Sequence, residues 1–239
     1  MSAFPQTRST VVRELRSGEP EVYHRAVDRL VAAYWKPVYF HLRLRWNTPH
    51  ADAQDLTQEF FLRLLEKRYL DRYDAARARF RTFLRLCLDR FIANQKKASG
   101  RLKRGGAESP LSLDFAGAER EVSQLESEFA DPETRFHREW VRSLFTLAVE
   151  DLRRRCVEAG KPTHFALFQR YDLDDANRES LSYQDLAEAY ELPVTQVTNH
   201  LAWARREFRR LLLDRLRHLC GSDREFRAEA KELLGLEVA

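Results

Sequence analysis

Ser182-Tyr183-Gln184-Asp185-Leu186-Ala187-Glu188-Ala189-Tyr190-Glu191-Leu192-Pro193-Val194-Thr195-Gln196-Val197-Thr198-Asn199-His200-Leu201 reads as two helices joined by a tight turn. Ser182 and Asp185 have the spacing of a capping box, in which hydroxyl and carboxylate each take up an amide of the first turn. Leu186, Tyr190, Leu192, Val197 and Leu201 fall where two crossing helices share a small core, and Ala187 supplies the small side chain at the crossing. Pro193 suits the start of the second helix, because proline is tolerated in a first turn. The turn position that often carries glycine holds Glu191 instead. The second helix then offers Val194, Thr195, Gln196, Thr198 and Asn199 from its N-terminal end, the end from which recognition helices read base edges. Gln and Asn suit adenine, with which they pair bidentately. Farther along, Arg205, Arg206 and Arg209, with Arg210, Arg215 and Arg217, stand against only Glu207 and Asp214, a balance suited to phosphate contacts. A solvated helix with i, i+4 charge pairs carries the same residues, so the preceding helix and turn are what favour duplex DNA.

The remainder of the chain is equally helical in composition. Its 239 residues are 33% charged and include only 8 Gly and 8 Pro, which disfavours turn-rich β architecture. No apolar run approaches the ~18 residues of a membrane span, and the N-terminus lacks a signal-peptide core, so a soluble, cytoplasmic, all-α protein is expected. Cys87, Cys156 and Cys220 lie far apart, which supports neither a disulfide framework nor a zinc site. Arginine is strongly preferred to lysine; its planar fork suits phosphate, although a GC-rich genome gives the same bias.

Charge divides the chain into blocks. Residues 1–106 carry 22 basic and 11 acidic side chains, a net of +11, whereas residues 107–135 carry 2 and 8, a net of −6. Residues 136–220 are close to balance at +1, and the tail, residues 221–239, stands at −2. The acidic block, bordered by Gly105, Gly106 and Pro132 and weak in periodicity, reads as a linker between two helical domains. Within the first domain, Val22–Leu44 has helical spacing that breaks at Pro37, and Asn47-Thr48-Pro49 marks a turn. From Asp52 to Leu65 the apolar stripe is Leu56, Phe60, Phe61, Leu64 and Leu65, with Asp52, Gln54, Asp55, Gln58 and Glu59 opposite. A third helix, from about Phe80 to Lys97, has Phe80, Phe83, Leu84, Cys87, Leu88, Phe91 and Ile92 on its apolar side. The tail has Phe226, Leu233, Leu234 and Leu236 among alternating charges, the pattern of a short amphipathic helix.

The third helix has basic flanks. Between Ala76 and Arg104 ten cations, among them Arg77, Arg79, Arg81, Arg90, Lys96 and Lys97, face the single acid Asp89. So dense a run of one sign is a footprint for a phosphate backbone. Phe80 and Phe83, with Tyr69 and Tyr73 upstream, interleave aromatic rings with these cations, as a site for unstacked bases requires; each base–ring stack contributes ~1–3 kcal/mol. The plainer reading makes the phenylalanines core and the arginines a solvated face, and for Phe91 the plainer reading is preferred.

Enzymatic readings fare poorly. Asp52, Asp55 and Glu59 share a face, but no second helix offers matching carboxylates for a metal pair. Asp172, Asp174, Asp175, Asn177 and Glu179 have neither the spacing nor the glycine of a calcium loop. No phosphate-binding glycine loop, nucleophile elbow or Cys/His cluster occurs, so no catalytic residue, metal or cofactor is expected.

Together the two halves resemble a known family. Asp52-Ala53-Gln54-Asp55-Leu56-Thr57-Gln58-Glu59-Phe60-Phe61 looks like the D-A-E-D-L-x-Q-E-x-F signature in region 2.2 of bacterial RNA polymerase sigma factors, specifically the extracytoplasmic-function group of the sigma-70 family. Arg79-Phe80-Arg81-Thr82-Phe83-Leu84 is similar to the R-F-R-x-W-L segment that follows, with Phe83 where many members have Trp. In the next stretch Arg90 and Asn94 replace the usual Asn and Asp. Tyr183–Leu212 resembles region 4, ending Arg205-Arg206-Glu207-Phe208-Arg209-Arg210-Leu211-Leu212. Phe4-Pro5-Gln6-Thr7-Arg8 and Lys103-Arg104-Gly105-Gly106 are similar to a planctomycete-like subgroup.

The resemblance implies a region 2-like domain over residues 1–106, an acidic linker over 107–135, a helix-turn-helix region 4-like domain over 136–220 and a tail. By the same resemblance, core RNA polymerase (its clamp coiled coil and flap) and promoter DNA are the partners, with an anti-sigma factor or a Ser/Thr kinase as further regulators and no membrane involved. Asp52, Gln54, Asp55, Gln58, Glu59 and Phe60 would dock on the polymerase. The segment Tyr69 to Lys97 would melt and hold the −10 strand, and Thr195, Gln196, Thr198, Asn199 and Arg205 would contact the −35 element. The acidic linker would pass through the polymerase cleft toward the RNA exit channel. Family members commonly hold a carboxylate where this chain has Gln54. Thr57, three residues on and on or near the same face, would restore charge if phosphorylated, by about −1.5 to −2; an ordinary uncharged helix position is the other reading. The competing function is a free-standing helix-turn-helix regulator that binds duplex DNA as a dimer without polymerase.

Overall fold

The computed structural model describes residues 10–66, 69–99, 113–124, 131–174 and 181–235. The sequence signatures at Phe4–Arg8 and Lys103–Gly106, and Asp175, Asn177 and Glu179 of the acidic loop, lie outside the described residues. Every regular element among those described is helical. The chain divides into two compact units, Met1–Ser143 together with Leu216–Ala239, and Leu144–Arg215. Among the described residues no helix is long and apolar enough to cross a membrane.

The first unit is organised around α2 (Pro20–Arg45), whose Leu30, Ala33, Tyr34, Val38, Tyr39 and Leu42 recur at helical spacing and are fully buried. The expected break at Pro37 does not occur: α2 runs through it. Proline removes one backbone donor from a helix interior, but Pro37 is itself buried and sits among these core residues, whose burial outweighs the loss. A short α1 (Val11–Leu15) is tied to α2 by the Arg29–Glu14 ion pair. Asn47, at φ 48°, turns the chain into α3 (His50–Glu66). A 3₁₀ turn at Tyr69–Arg72 precedes α4 (Phe80–Ser99), whose Phe80, Leu84, Leu88, Phe91 and Ile92 are buried on the expected side.

Two expectations of chain organisation change. The acidic stretch contains a helix, α5 (Phe115–Gln124), with Phe115, Ala118 and Val122 buried. The Phe115 ring meets Trp35 and Tyr39 at 5.4 and 5.3 Å, and Glu119 accepts from Arg43 (2.5 Å) and the Tyr39 hydroxyl (2.5 Å). An acidic helix finds a seat here because α2 presents Lys36 and Arg43 beside its aromatic face, Lys36 donating to Glu121 at 2.6 Å. Likewise, the boundaries drawn at 106, 135 and 220 are not where the units divide. Phe136 and Trp140, early in α6 (Pro132–Glu158), stack on Tyr34 in the first unit, and the tail helix α10 (Asp223–Leu234) belongs to the same unit.

The second unit comprises the rest of α6, α7 (Pro162–Phe168), a π-turn at Gln169–Leu173, α8 (Tyr183–Ala189) and most of α9 (Val194–Leu219). Its core gathers Leu152, Cys156, Leu167, Phe168, Leu186, Ala187, Val197, Leu201 and Ala204, with Tyr190 and Leu192 packed on it. These include the helix-turn-helix core positions expected from sequence.

Candidate nucleic-acid interface

The helix-turn-helix forms as its residues dictate. Ser182 Oγ accepts from the Asp185 amide at 3.1 Å, while the Asp185 carboxylate accepts from the Ser182 amide and hydroxyl at 2.7 Å each, and these two donors hold it below the usual carboxylate range. Glu191 adopts φ 52°, the left-handed conformation that glycine usually supplies at this turn. The Pro193 carbonyl accepts from the Gln196 and Val197 amides at 2.8 and 3.1 Å and so opens α9. Val194, Thr195, Gln196, Thr198 and Asn199 are all exposed on the first two turns, as are Arg206 and Arg209. The Thr198 hydroxyl donates to the Val194 carbonyl at 2.9 Å.

Arg205 is not available in the same way. Its guanidinium donates to the Asp172 carboxylate from Nε and Nη2 (2.9 Å each) and to the Tyr183 hydroxyl from Nη1 (3.0 Å), and lies over the Tyr171 ring at 5.3 Å. Arg205, expected at the −35 element, is thus a clasp between the π-turn at Gln169–Leu173, the first helix of the motif and α9. Arg210 pairs with Glu207 and Arg215 with Asp151, so Arg206 and Arg209 carry the exposed charge of this face.

In the first unit the helix α3 shows Asp52 and Asp55 to solvent, with Gln54, Gln58 and Glu59 half-buried along the same side and Glu59 paired to Arg63. Leu62, 43% exposed, and exposed Glu66 extend this face; Leu62 lies outside both the apolar stripe and the Asp52–Phe61 signature, so no sequence signal marked it. Phe60, expected among the polymerase contacts, faces the core instead. It is 2% exposed and packs on Phe61 and Phe91. Thr57 is fully buried and donates to the Ala53 carbonyl at 2.7 Å, so no kinase reaches it in the folded chain. The buried stripe of α3 runs through Ala53, Thr57, Phe60, Phe61 and Leu64, one position off the leucine at 56 that sequence favoured.

The cationic run on and before α4 splits in two. Arg90, Asn94, Lys96 and Lys97 are exposed, and Arg77 is 87% exposed beside Asp74. An open groove lies between Trp46 and Arg90, with Arg45, Leu86 and Ala93 in its walls. Lys96 Nζ stands 4.8 Å from the Trp46 ring and Arg45 5.6 Å from it, an aromatic–cationic grouping like those that stack bases. Trp46 escaped notice in the sequence because it is distant from the basic run. Tyr69 and Phe83 are half-buried.

The other half of the run is occupied. Phe80 is fully buried against Tyr34, Tyr73 and Phe83, and Tyr73, 8% exposed, donates its hydroxyl to Glu225 of α10 at 2.9 Å. Arg79 donates to Glu229 (3.2 Å) and Glu232 (2.6 Å), Arg81 pairs with Glu229, and Arg85 reaches Asp89 (3.0 Å) and Glu133 (3.4 Å). The expected strand contacts at Tyr73, Arg79, Phe80 and Arg81 are therefore internal in this structure, because the chain supplies its own carboxylates to them.

Among the described residues no group of His, Cys, Asp or Glu side chains is placed to hold a metal ion. Residues 30–102, which run from within α2 beyond α4, match the family model for sigma-70 region 2, so a sigma-70 region 2 domain is present. No curated protein and no solved structure matches the chain.

Proposed function

We propose that the protein is a sigma factor of the sigma-70 family, of the compact extracytoplasmic-function type, which binds core RNA polymerase and directs it to promoters. The observation that carries this reading is the sigma-70 region 2 match over residues 30–102, followed in the same chain by a helix-turn-helix at Tyr183–Leu219. Either feature alone has many other uses; their order in one chain is specific. The acidic face of α3, with Asp52, Asp55, Glu59 and the exposed Leu62, is the polymerase-docking surface. Arg90, Asn94, Lys96 and Lys97, all exposed, with Trp46 are the −10 contacts, and Thr195, Gln196, Thr198 and Asn199 read the −35 element, flanked by phosphate contacts from Arg206 and Arg209.

Size-exclusion chromatography with bacterial core RNA polymerase tests the reading directly. The wild-type chain co-elutes, and Asp55→Lys with Glu59→Lys, which reverses charge on the docking face, abolishes co-elution without lowering the helical content. Binding of duplex DNA as a dimer, with no association with polymerase, would overturn the reading in favour of a free-standing regulator.

A further inference from the structure

The tail helix α10 has no part in the proposed function, yet its carboxylates make some of the most buried polar contacts of the first unit. Glu225, 7% exposed, accepts from the Tyr73 hydroxyl, from the Phe80 amide at 2.6 Å and from the Gly221 amide at 2.7 Å. Glu229, 1% exposed, takes Arg81 and Arg79, and Glu232 takes Arg79 at 2.6 Å and Arg81 at 3.7 Å. Of three acids spaced i, i+4, i+7 on one helix, Glu229 and Glu232 thus pair with the two arginines that flank Phe80, the pair that the basic run of α4 would otherwise present, while Glu225 ties the helix to Tyr73 and the Phe80 amide. The acidic helix sits where a phosphate backbone would.

We propose that α10 is an intramolecular cover, in which Glu229 and Glu232 occupy Arg79 and Arg81 in place of nucleic-acid phosphates and release them when α10 lifts. This rests on the sigma-factor reading only in identifying the displaced ligand as single-stranded DNA. Two features make the cover exchangeable. The helix satisfies its own ends, capped by Ser222 at its start and by Gly235 at φ 62° at its end, so lifting it leaves no terminal amide or carbonyl newly without its cap. It is also imperfectly seated: Glu229 Oε2 is buried with no hydrogen-bond partner among the described residues, and burial pushes this carboxyl above its ordinary range. A half-satisfied buried carboxylate is a cost of the closed form that opening relieves. The hinge is the short Cys220-Gly221-Ser222 connection. Gly221 lies so close to Tyr73 that a Cβ built there overlaps the Tyr73 ring, so a side chain at 221 and a seated Tyr73 exclude one another.

The test measures binding of a fluorescein-labelled 20-nucleotide DNA single strand of random sequence to the full-length chain by anisotropy, across a salt series. Glu229→Gln with Glu232→Gln keeps the helix but removes the charges. It is expected to bind about tenfold tighter than wild type, within the ~5–150-fold span of ordinary intramolecular coupling. The slope of log affinity against log salt becomes steeper by about 1.4, since each phosphate newly neutralised adds ~0.7 for single strands. Gly221→Ala, which unseats α10 by crowding instead of by charge, shifts affinity in the same direction. Adding Arg79→Ala and Arg81→Ala to the glutamine variant returns binding to the wild-type level. If both opening variants bind like wild type while Arg90→Ala with Lys97→Ala weakens binding, the cover is refuted and the strand-binding reading stands. A gain that survives loss of Arg79 and Arg81 also refutes it, and absence of binding in every variant overturns cover and strand binding together.

Discussion

Introducing a carboxylate at Thr57 separates a regulatory helix position from a structural one. The side chain is fully buried, and its single polar partner is the Ala53 carbonyl at 2.7 Å, an acceptor that repels a carboxylate. Thr57→Glu removes the hydroxyl bond, a net loss of ~1 kcal/mol. It overpacks the α3 interface at a cost of ~1–3 kcal/mol and leaves a buried carboxyl without a partner, at a further cost of ~2 kcal/mol or more. The total is at least ~4 kcal/mol. At ~2–4 °C per kcal/mol for a chain of this size, Tm falls by at least ~8 °C. Thr57→Val keeps the shape and loses only the hydroxyl, so its Tm stays within ~4 °C of wild type. Calorimetry or circular dichroism on the full chain reads both. Thr57→Glu melting with wild type would refute the burial argument and restore Thr57 as a candidate switch.

Further outcomes follow from the ion pairs. Arg43, and then Tyr39, hold the Glu119 carboxyl down at about 2. The stability this gives is present above the ordinary carboxylate range near 4.5 and is lost as pH falls from there toward 2. Glu119→Gln costs roughly 1–2 kcal/mol at pH 7 and flattens that part of the pH profile, as urea titrations between pH 3 and 7 will show. In the second unit burial, then His200 and Lys161, press the His164 imidazole down to about 4, so its folded form favours the neutral ring. That contribution is complete above 6.5 and is lost as pH falls from 6.5 toward 4, whereas His164→Phe removes the window; the His164 ring protons followed by NMR titration give the midpoint. Arg205→Ala and Asp172→Ala are expected to destabilise the second unit by a similar ~1–2 kcal/mol and to be strongly non-additive in a double-mutant cycle. Weakened duplex binding by Arg205→Ala with no stability loss would instead make Arg205 a phosphate contact.

The helix-turn-helix was legible almost residue by residue, because its signals are local: a capping box at Ser182 and Asp185, a proline before α9, and apolar positions at helical spacing. The same holds for α4, whose buried stripe matches its periodicity. What could not be read were choices made by distant partners. Nothing within three or four residues of Arg79 or Arg81 announces Glu229, about 150 positions away, so a run of like charge read as vacant. The acidic stretch looked like a tether because its ten-residue helix is short, and its seat on Trp35 and Tyr39 is visible only in three dimensions. Thr57 was misplaced for a smaller reason: a stripe drawn through Leu56 rotates α3 slightly, and at helical spacing that decides whether a side chain faces solvent or core. Phe60 lay on the apolar stripe by its spacing, and only the family resemblance set it among the polymerase contacts.

The four tryptophans have an optical consequence. Each indole occupies a different surrounding: Trp35 meets Phe115 of α5, Trp46 lies under Lys96 beside the basic groove, Trp140 lies beneath Arg81 and against Tyr34, and Trp203 packs with His164 and Lys161 in the second unit. Emission from these indoles therefore separates by location. Single-tryptophan variants would give four private spectroscopic channels: Trp35 for the acidic helix, Trp46 for the basic groove, Trp140 for the guanidinium that α10 holds, and Trp203 for the helix-turn-helix unit alone. The fold carries its own reporters, one beside each part whose movement matters.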